Sequence, residues 1–213
     1  MKFLITGFEP FDGSPLNPSN LIIDRLSKHA FDNYDVHTSV LAVDTVAAPI
    51  ELINELQRVM PDIVICLGQA SGRAAVSLER IAINLLDFRI PDNQGNQIKD
   101  RKIITDGPAA YFSTLPIKEI QKGLLKAGFP SEISCSAGTY LCNQVFYYLM
   151  HEIEEQHLPT KAGFIHLPSL PEQASQARKP SPSMSLDTSF HAILNVIDTT
   201  FSLFSNPAET PSS

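Results

Sequence analysis

The chain contains no tryptophan and only three cysteines among its 213 residues. Cys66, Cys135 and Cys142 are too few, and odd in number, for a disulfide framework, so a reducing cytoplasm is the expected setting. Basic residues are also scarce: 16 Lys and Arg stand against 23 Asp and Glu, for a net charge of -7. Without clustered cations, neither a nucleic acid nor an anionic membrane is an expected partner. Long apolar runs are missing as well. The opening MKFLITGFEPFDG is apolar for one strand's length before Gly7 and Glu9 interrupt it. A secretory signal needs a longer run, and a membrane helix needs roughly 20 apolar residues. There is no His-x-x-x-His, no paired Cys-x-x-Cys, and no Walker or dinucleotide glycine pattern, so neither a metal nor a cofactor is expected. The Gly7 to Gly13 loop lacks lysine and carries Glu9 and Asp12, which repel phosphate.

What the chain does have is alternation. Lys2 to Thr6 reads as a buried strand, a helix begins near Pro18, and His37 to Val43 reads as the next strand. Thr45 is the expected cap of a helix with Pro49 in its first turn and Ile53, Leu56 and Met60 on its apolar side. Asp62 to Leu67 is a near-continuous apolar run, as in a strand covered on both faces. Val76 to Leu86 is a further strand, and polar, turn-rich Asp87 to Pro108 is a long excursion of the kind that shapes binding sites. A helix through Ile117, Ile120 and Leu124 leads to a short strand at Glu132 to Cys135. Leu141, Val145, Leu149 and Ile153 then mark the inner stripe of another helix. Ala162 to Leu167 is the last strand. Pro180 to Ser183 is a linker before a closing helix bearing Phe190, Ile193, Ile197 and Phe201. This pattern predicts an α/β fold, a three-layer α/β/α sandwich on a mixed, largely parallel sheet. Residues 1–205 form one domain, and 206–213 form a flexible tail.

Ligands of such folds gather outside the carboxyl ends of the strands. Gly7-Phe8-Glu9, Gly68-Gln69 and His166 all follow strands, and Cys142 opens the helix after the Cys135 strand, so these four distant features converge on one rim. With Thr139 as cap, Cys142 falls in the first turn, where free N–H groups and the helix dipole favour a thiolate. The same N–H groups suit an oxyanion. His166 is the imidazole best placed to activate the thiol, and Glu79 can orient it. Bland readings stand beside these. Free cysteine is among the most buried residue types. Cys66 and Cys135 read as structural, Cys135 near its strand end also standing as a weaker nucleophile candidate; His166 between Ile165 and Leu167 also fits a core histidine, and Glu79 also fits an ion pair with Arg80 or Arg73.

The blocks ITGFEPFDG with Asn17-Pro18, CLGQASGR, LERIAINLLDFRIPDNQG, SAGTYLCNQVFYYL, GFIHLPSLPEQA and PSPSMSLD run in order from Ile5 to about Asp187. In these the chain resembles the pyroglutamyl-peptidase I family of cysteine peptidases, which remove an N-terminal pyroglutamyl residue. The resemblance implies catalytic roles for Glu79, Cys142 and His166, no cofactor, and a homo-oligomer, tetramer or dimer. It also implies a lactam-sized pocket. Phe8 and Phe11 would cover the ring, Gln69 would offer a donor and an acceptor, backbone near Ile90, Tyr140 and Leu141 would contribute, and Arg89 would help hold the oxyanion. The chain departs from the family at Asp12, where glycine is commoner, and at Leu41-Ala42-Val43-Asp44, which differs from the usual Leu-Pro segment. Alternatives are another Cys-His-Glu amidase, glutaminase-like, and a non-catalytic pyroglutamate-binding protein on the same scaffold.

Overall fold

The computed structural model describes residues 1–205, so the expected tail at 206–213 lies outside the described residues. Five strands of the central sheet are β1 (Lys2–Phe8), β2 (Asp35–Leu41), β3 (Ile63–Gln69), β4 (Val76–Glu79) and, across a hairpin, β7 (Ser131–Ser134); β8 (Lys161–Leu167) completes it. The hairpin consists of β5 (Ile81–Ile83) and β6 (Ala110–Phe112). The order in the sheet is β2-β1-β3-β8-β4-β7. Every neighbouring pair is parallel except β4 with β8. Six helices accompany the sheet among the described residues: α1 (Pro18–Leu26), α2 (Ala47–Val59), α3 (Ile117–Lys126), α4 (Leu141–Glu155), α5 (Pro171–Ser175) and α6 (Leu186–Ser205).

The period of two along each strand sorts side chains between two cores. Leu4, Val64, Cys66, Ala162 and Phe164 pack with Leu52 and Leu56 of α2 and with Val145 and Leu149 of α4. Phe3, Ile5, Ile65, Leu67 and Ile165 point the other way, onto α1, α3 and α6. Three layers follow, with the sheet's interior strands apolar on both faces as the sequence predicts.

Three local expectations are corrected. Thr45 does not cap α2. The cap position falls on Val46, with no capping side chain; the Asp44 carboxylate accepts from the N–H groups of Val46 (2.7 Å) and Ala47 (3.3 Å), while the Thr45 hydroxyl donates to Gln144 Oε1. Thr139 does not cap α4 either: its hydroxyl donates to the Asp87 carbonyl at 2.8 Å, and the cap position falls on Tyr140, with no capping side chain. Nor is Val76 to Leu86 one strand. The chain leaves the main sheet at Arg80, whose carbonyl accepts from Ser113 N, and continues as the β5 arm of the hairpin. Asp12 sits at a φ of 54°, the left-handed region that glycine occupies without steric cost and that Asp tolerates better than most residues.

Candidate active site

The antiparallel β4–β8 pairing brings two polar side chains together on one face. Ser77 stands opposite His166 and Glu79 opposite Phe164, so Glu79 and His166 are diagonal neighbours within reach of a long side chain. His166 Nδ1 meets Glu79 Oε1 at 2.7 Å, across 87 residues of sequence. The same oxygen accepts from Arg73 Nη1 at 2.6 Å. Glu79 therefore satisfies two readings of the sequence at once, as a partner of His166 and as half of an ion pair with Arg73. Its side chain is fully buried. Burial alone would raise its pKa, but the hydrogen bonds and charge of His166, with the Arg73 hydrogen bond, outweigh that and hold it below the ordinary carboxylate value. An ionised carboxylate only accepts, so Nδ1 of His166 carries the proton and Nε2 is left as an acceptor. Burial in turn lowers the pKa of His166, against the opposing pull of Glu79.

The thiol reaches this pair from the other layer. Cys142 is the second residue of α4. Gly68, the register partner of His166 on β3, makes room for it: a Cβ built on Gly68 would lie 2.8 Å from Cys142 Sγ and 2.7 Å from the Phe164 ring. Such separations are shorter than van der Waals contact allows. The sulfur thus rests over the bare backbone of the strand residue paired with His166, and Cys142 and His166 line one cleft. Although Cys142 keeps part of its surface open, the thiol has protein surroundings. Desolvation first, then the negative charge of Glu79, push its pKa up to about 12. The sequence favoured a thiolate stabilised by the helix mouth; in the structure burial opposes that and favours the neutral thiol.

Phe8, Phe11, Gln69, Arg89, Ile90, Tyr140, Leu141, Cys142 and His166 all line one cleft of about 800 Å³. Of the ten residues singled out in the sequence only Glu79 does not, since it lies behind His166. Phe11 and Tyr140 face each other with ring centroids 6.3 Å apart, and Tyr140 packs edge-on against Phe88 at 4.6 Å. The Tyr140 hydroxyl donates to the Pro91 carbonyl at 3.0 Å, and Asp87 N donates to the Thr139 carbonyl. These bonds fasten the long excursion to the mouth of α4. Arg89 is exposed at the rim.

Gln69 is more constrained than the sequence suggests. Its Nε2 donates to Ser71 Oγ and Ser169 Oγ, both at 3.1 Å, and its Oε1 accepts from Gln173 Nε2. Both amide hydrogens are engaged, leaving one lone pair on Oε1 for a ligand. Gln173 was missed by the sequence reading. It also donates to Leu16 O and accepts from Leu170 N, joining α5 to the aromatic loop and to β3. Arg73 was passed over as a mere partner of Glu79. Its role is invisible without the β3–β4 turn. Among the described residues, no three His, Cys, Asp or Glu side chains are arranged to hold a metal ion, and no helix is long and apolar enough to cross a membrane.

Comparison with known proteins is consistent across sequence and structure. Residues 1–202 match the profile of a family described as pyroglutamyl peptidase. A pyrrolidone-carboxylate peptidase of Fusobacterium nucleatum is 47% identical over 204 residues, covering 95% of this chain and 94% of that protein. One from Vibrio vulnificus is 45% identical over 192 residues, covering 90% and 89%. Among solved structures, a mutant pyrrolidone carboxyl peptidase from the hyperthermophile Pyrococcus furiosus superposes with a TM-score of 0.92 at 42% identity, over 96% of this chain and 100% of the other. Pyroglutamyl peptidase I of Bacillus amyloliquefaciens gives 0.90 at 41%, over 94% and 97%.

Proposed function

This chain belongs to the pyroglutamyl peptidase family, and from that premise we propose that it is a cysteine exopeptidase that hydrolyses the N-terminal pyroglutamyl residue from peptides. The observation that carries the reading is a sulfur seated over Gly68, the register partner of a histidine that a buried carboxylate holds at 2.7 Å, with sulfur and ring lining the same cleft.

Cys142 is the nucleophile, His166 the general base and then the general acid, and Glu79 the group that orients the ring. Because the resting thiol and imidazole are both neutral, proton transfer to Nε2 accompanies attack of sulfur on the pyroglutamyl carbonyl. Glu79 stabilises the imidazolium that forms. The tetrahedral oxyanion meets the uncapped N–H groups at the start of α4, including that of Cys142, with Arg89 as a further donor from the rim. The imidazolium returns its proton to the leaving amine, which departs as the shortened peptide. Water, deprotonated by His166, then hydrolyses the thioester and frees pyroglutamate.

Specificity follows from the wall of the cleft. Pyroglutamate is a flat, neutral ring with an apolar edge, suited to Phe8, Phe11 and Tyr140. Its lactam N–H and C=O are suited to the free lone pair of Gln69 and to backbone groups near Ile90 and Leu141. A peptide with a free amino terminus would bring a charge into this apolar wall, at a desolvation cost of several kcal/mol by order of magnitude.

Release of a fluorophore from a pyroglutamyl amide, assayed beside glutamine and a free-amine peptide, tests the reading. Turnover of the first substrate alone is the expected result. Cys142→Ser abolishes it, whereas Cys135→Ser, altering an exposed thiol, leaves it intact. Activity that survives Cys142→Ser overturns the assignment.

A further inference from the structure

Arg73 lies on the turn after β3, where its own N–H donates to Ala70 O. Its guanidinium makes two contacts from this position. Nη1 donates to Glu79 Oε1 at 2.6 Å, and Nη2 donates to the Ser136 carbonyl at 3.0 Å. The first acceptor is the same oxygen that His166 uses. The second lies in the segment that leads from β7 into α4, six residues before Cys142. One planar group therefore links the carboxylate behind the imidazole to the chain that delivers the sulfur. A rigid planar fork holds both acceptors in a fixed geometry, which an ammonium on a flexible stem does not enforce.

We propose that Arg73 is a positioning residue for this reaction: it fixes Glu79 behind His166 and ties that carboxylate to the Ser136–Cys142 segment, so that imidazole and sulfur keep their relative placement. The proposal rests on the roles given above to Glu79, Cys142 and His166.

A second consequence is electrostatic. The charged groups acting on His166 are Glu79 from β4 and Arg73 from the β3–β4 turn; Cys142 from α4 lines the same cleft, with Cys66 of β3 near the thiol. Asp12, Asp87, Arg89 and Glu172 line the wider cleft. After the larger effect of His166, the Arg73 hydrogen bond helps to hold Glu79 ionised, and the Arg73 charge opposes a second positive charge on the ring. Without it, Glu79 and His166 bind a proton at higher pH.

The test uses the full chain as wild type, R73Q and R73K. Two readouts are taken: the pH dependence of kcat and KM on a pyroglutamyl amide, and the titration of the His166 ring nitrogens by NMR in substrate-free protein. In R73Q the acid limb and the ring titration both move up by about one pH unit, and kcat falls by about 10² with a smaller change in KM. R73K keeps the limb near wild type but loses kcat, because charge remains and the fork does not. A limb and a ring titration both unmoved in R73Q overturn the proposal, as does an unchanged kcat in R73K. Should R73Q fail to fold, R73K alone decides by its kcat. A wild-type protein inactive on the amide defeats the functional reading instead, while the ring titration still judges Arg73.

Discussion

The chemistry of the site turns on side chains whose charge states are set by burial. His166 is pushed below the ordinary imidazole value by desolvation, and Glu79 pulls it only part of the way back. Since the neutral ring accepts the proton of Cys142, the acid limb of kcat/KM lies below about 6.5, the value of a free imidazole. Replacing Glu79 by Gln removes the group that raises His166, so the limb moves to still lower pH. The rate falls by about 10⁴ because an amide can turn its NH2 toward Nδ1 and no longer enforces the tautomer that leaves Nε2 free to accept. A pH profile of both proteins checks this, and a limb moving upward in Glu79→Gln contradicts it. The same two groups shape stability. Glu79 and His166 both hold folded values below their unfolded ones. Their contribution is therefore complete above about 6.5 and is lost as pH falls.

At the scale of elements, the decisive feature is a strand running against its neighbours. Alternation of apolar residues made the strands and helices legible, and the rule that ligands collect beyond strand ends gathered Gly68-Gln69, Cys142 and His166 on one rim. The direction of β4 was not legible, because an alternating pattern reads the same in either sense. Yet only the antiparallel register makes Glu79 diagonal to His166. The caps were misjudged for a related reason: Thr139 and Thr45 have suitable side chains, but partners distant in sequence, Asp87 and Gln144, claim their hydroxyls. The second contact of Arg73, to Ser136, and the place of Gln173 were not legible because those partners lie 63 and 104 residues away. The roles of the aromatic wall came from the family resemblance and not from periodicity.

The contact between β3 and α4 yields a sharper expectation. Gly68 is needed there for space, since any Cβ would strike the sulfur and the Phe164 ring. Gly68→Ala displaces the thiol from its seat and lowers kcat/KM by about 10² or more. Overpacking costs stability about 1–3 kcal/mol, so the protein is destabilised but still measurable. Steady-state kinetics beside a thermal melt separate the two effects, and near wild-type kinetics would show that the sulfur sits elsewhere.

Over the whole molecule, the sheet divides two cores with different duties. The face covered by α2 and α4 carries Cys142, His166 and Glu79, while the face covered by α1, α3 and α6 carries none of them. Ile193 of α6 is fully buried in the second core. Ile193→Ala removes about 2–5 kcal/mol of stability through the cavity it leaves. The folded fraction keeps its kcat/KM, because the β-sheet stands between the cavity and the cleft. Chemical denaturation and active-site titration read these two quantities separately. A fall in turnover per folded molecule would mean that the faces are coupled.

The protonated sulfur over Gly68 also governs how this protein meets electrophiles. Small alkylating reagents need a thiolate, so the raised Cys142 pKa slows them there, as peptide mapping after brief iodoacetamide treatment will show. A reactive group carried on a five-membered lactam enters with the ring that seats it, and draws on His166 as the substrate does. Covalent labels for this protein should therefore take their selectivity from shape, with intrinsic reactivity kept low.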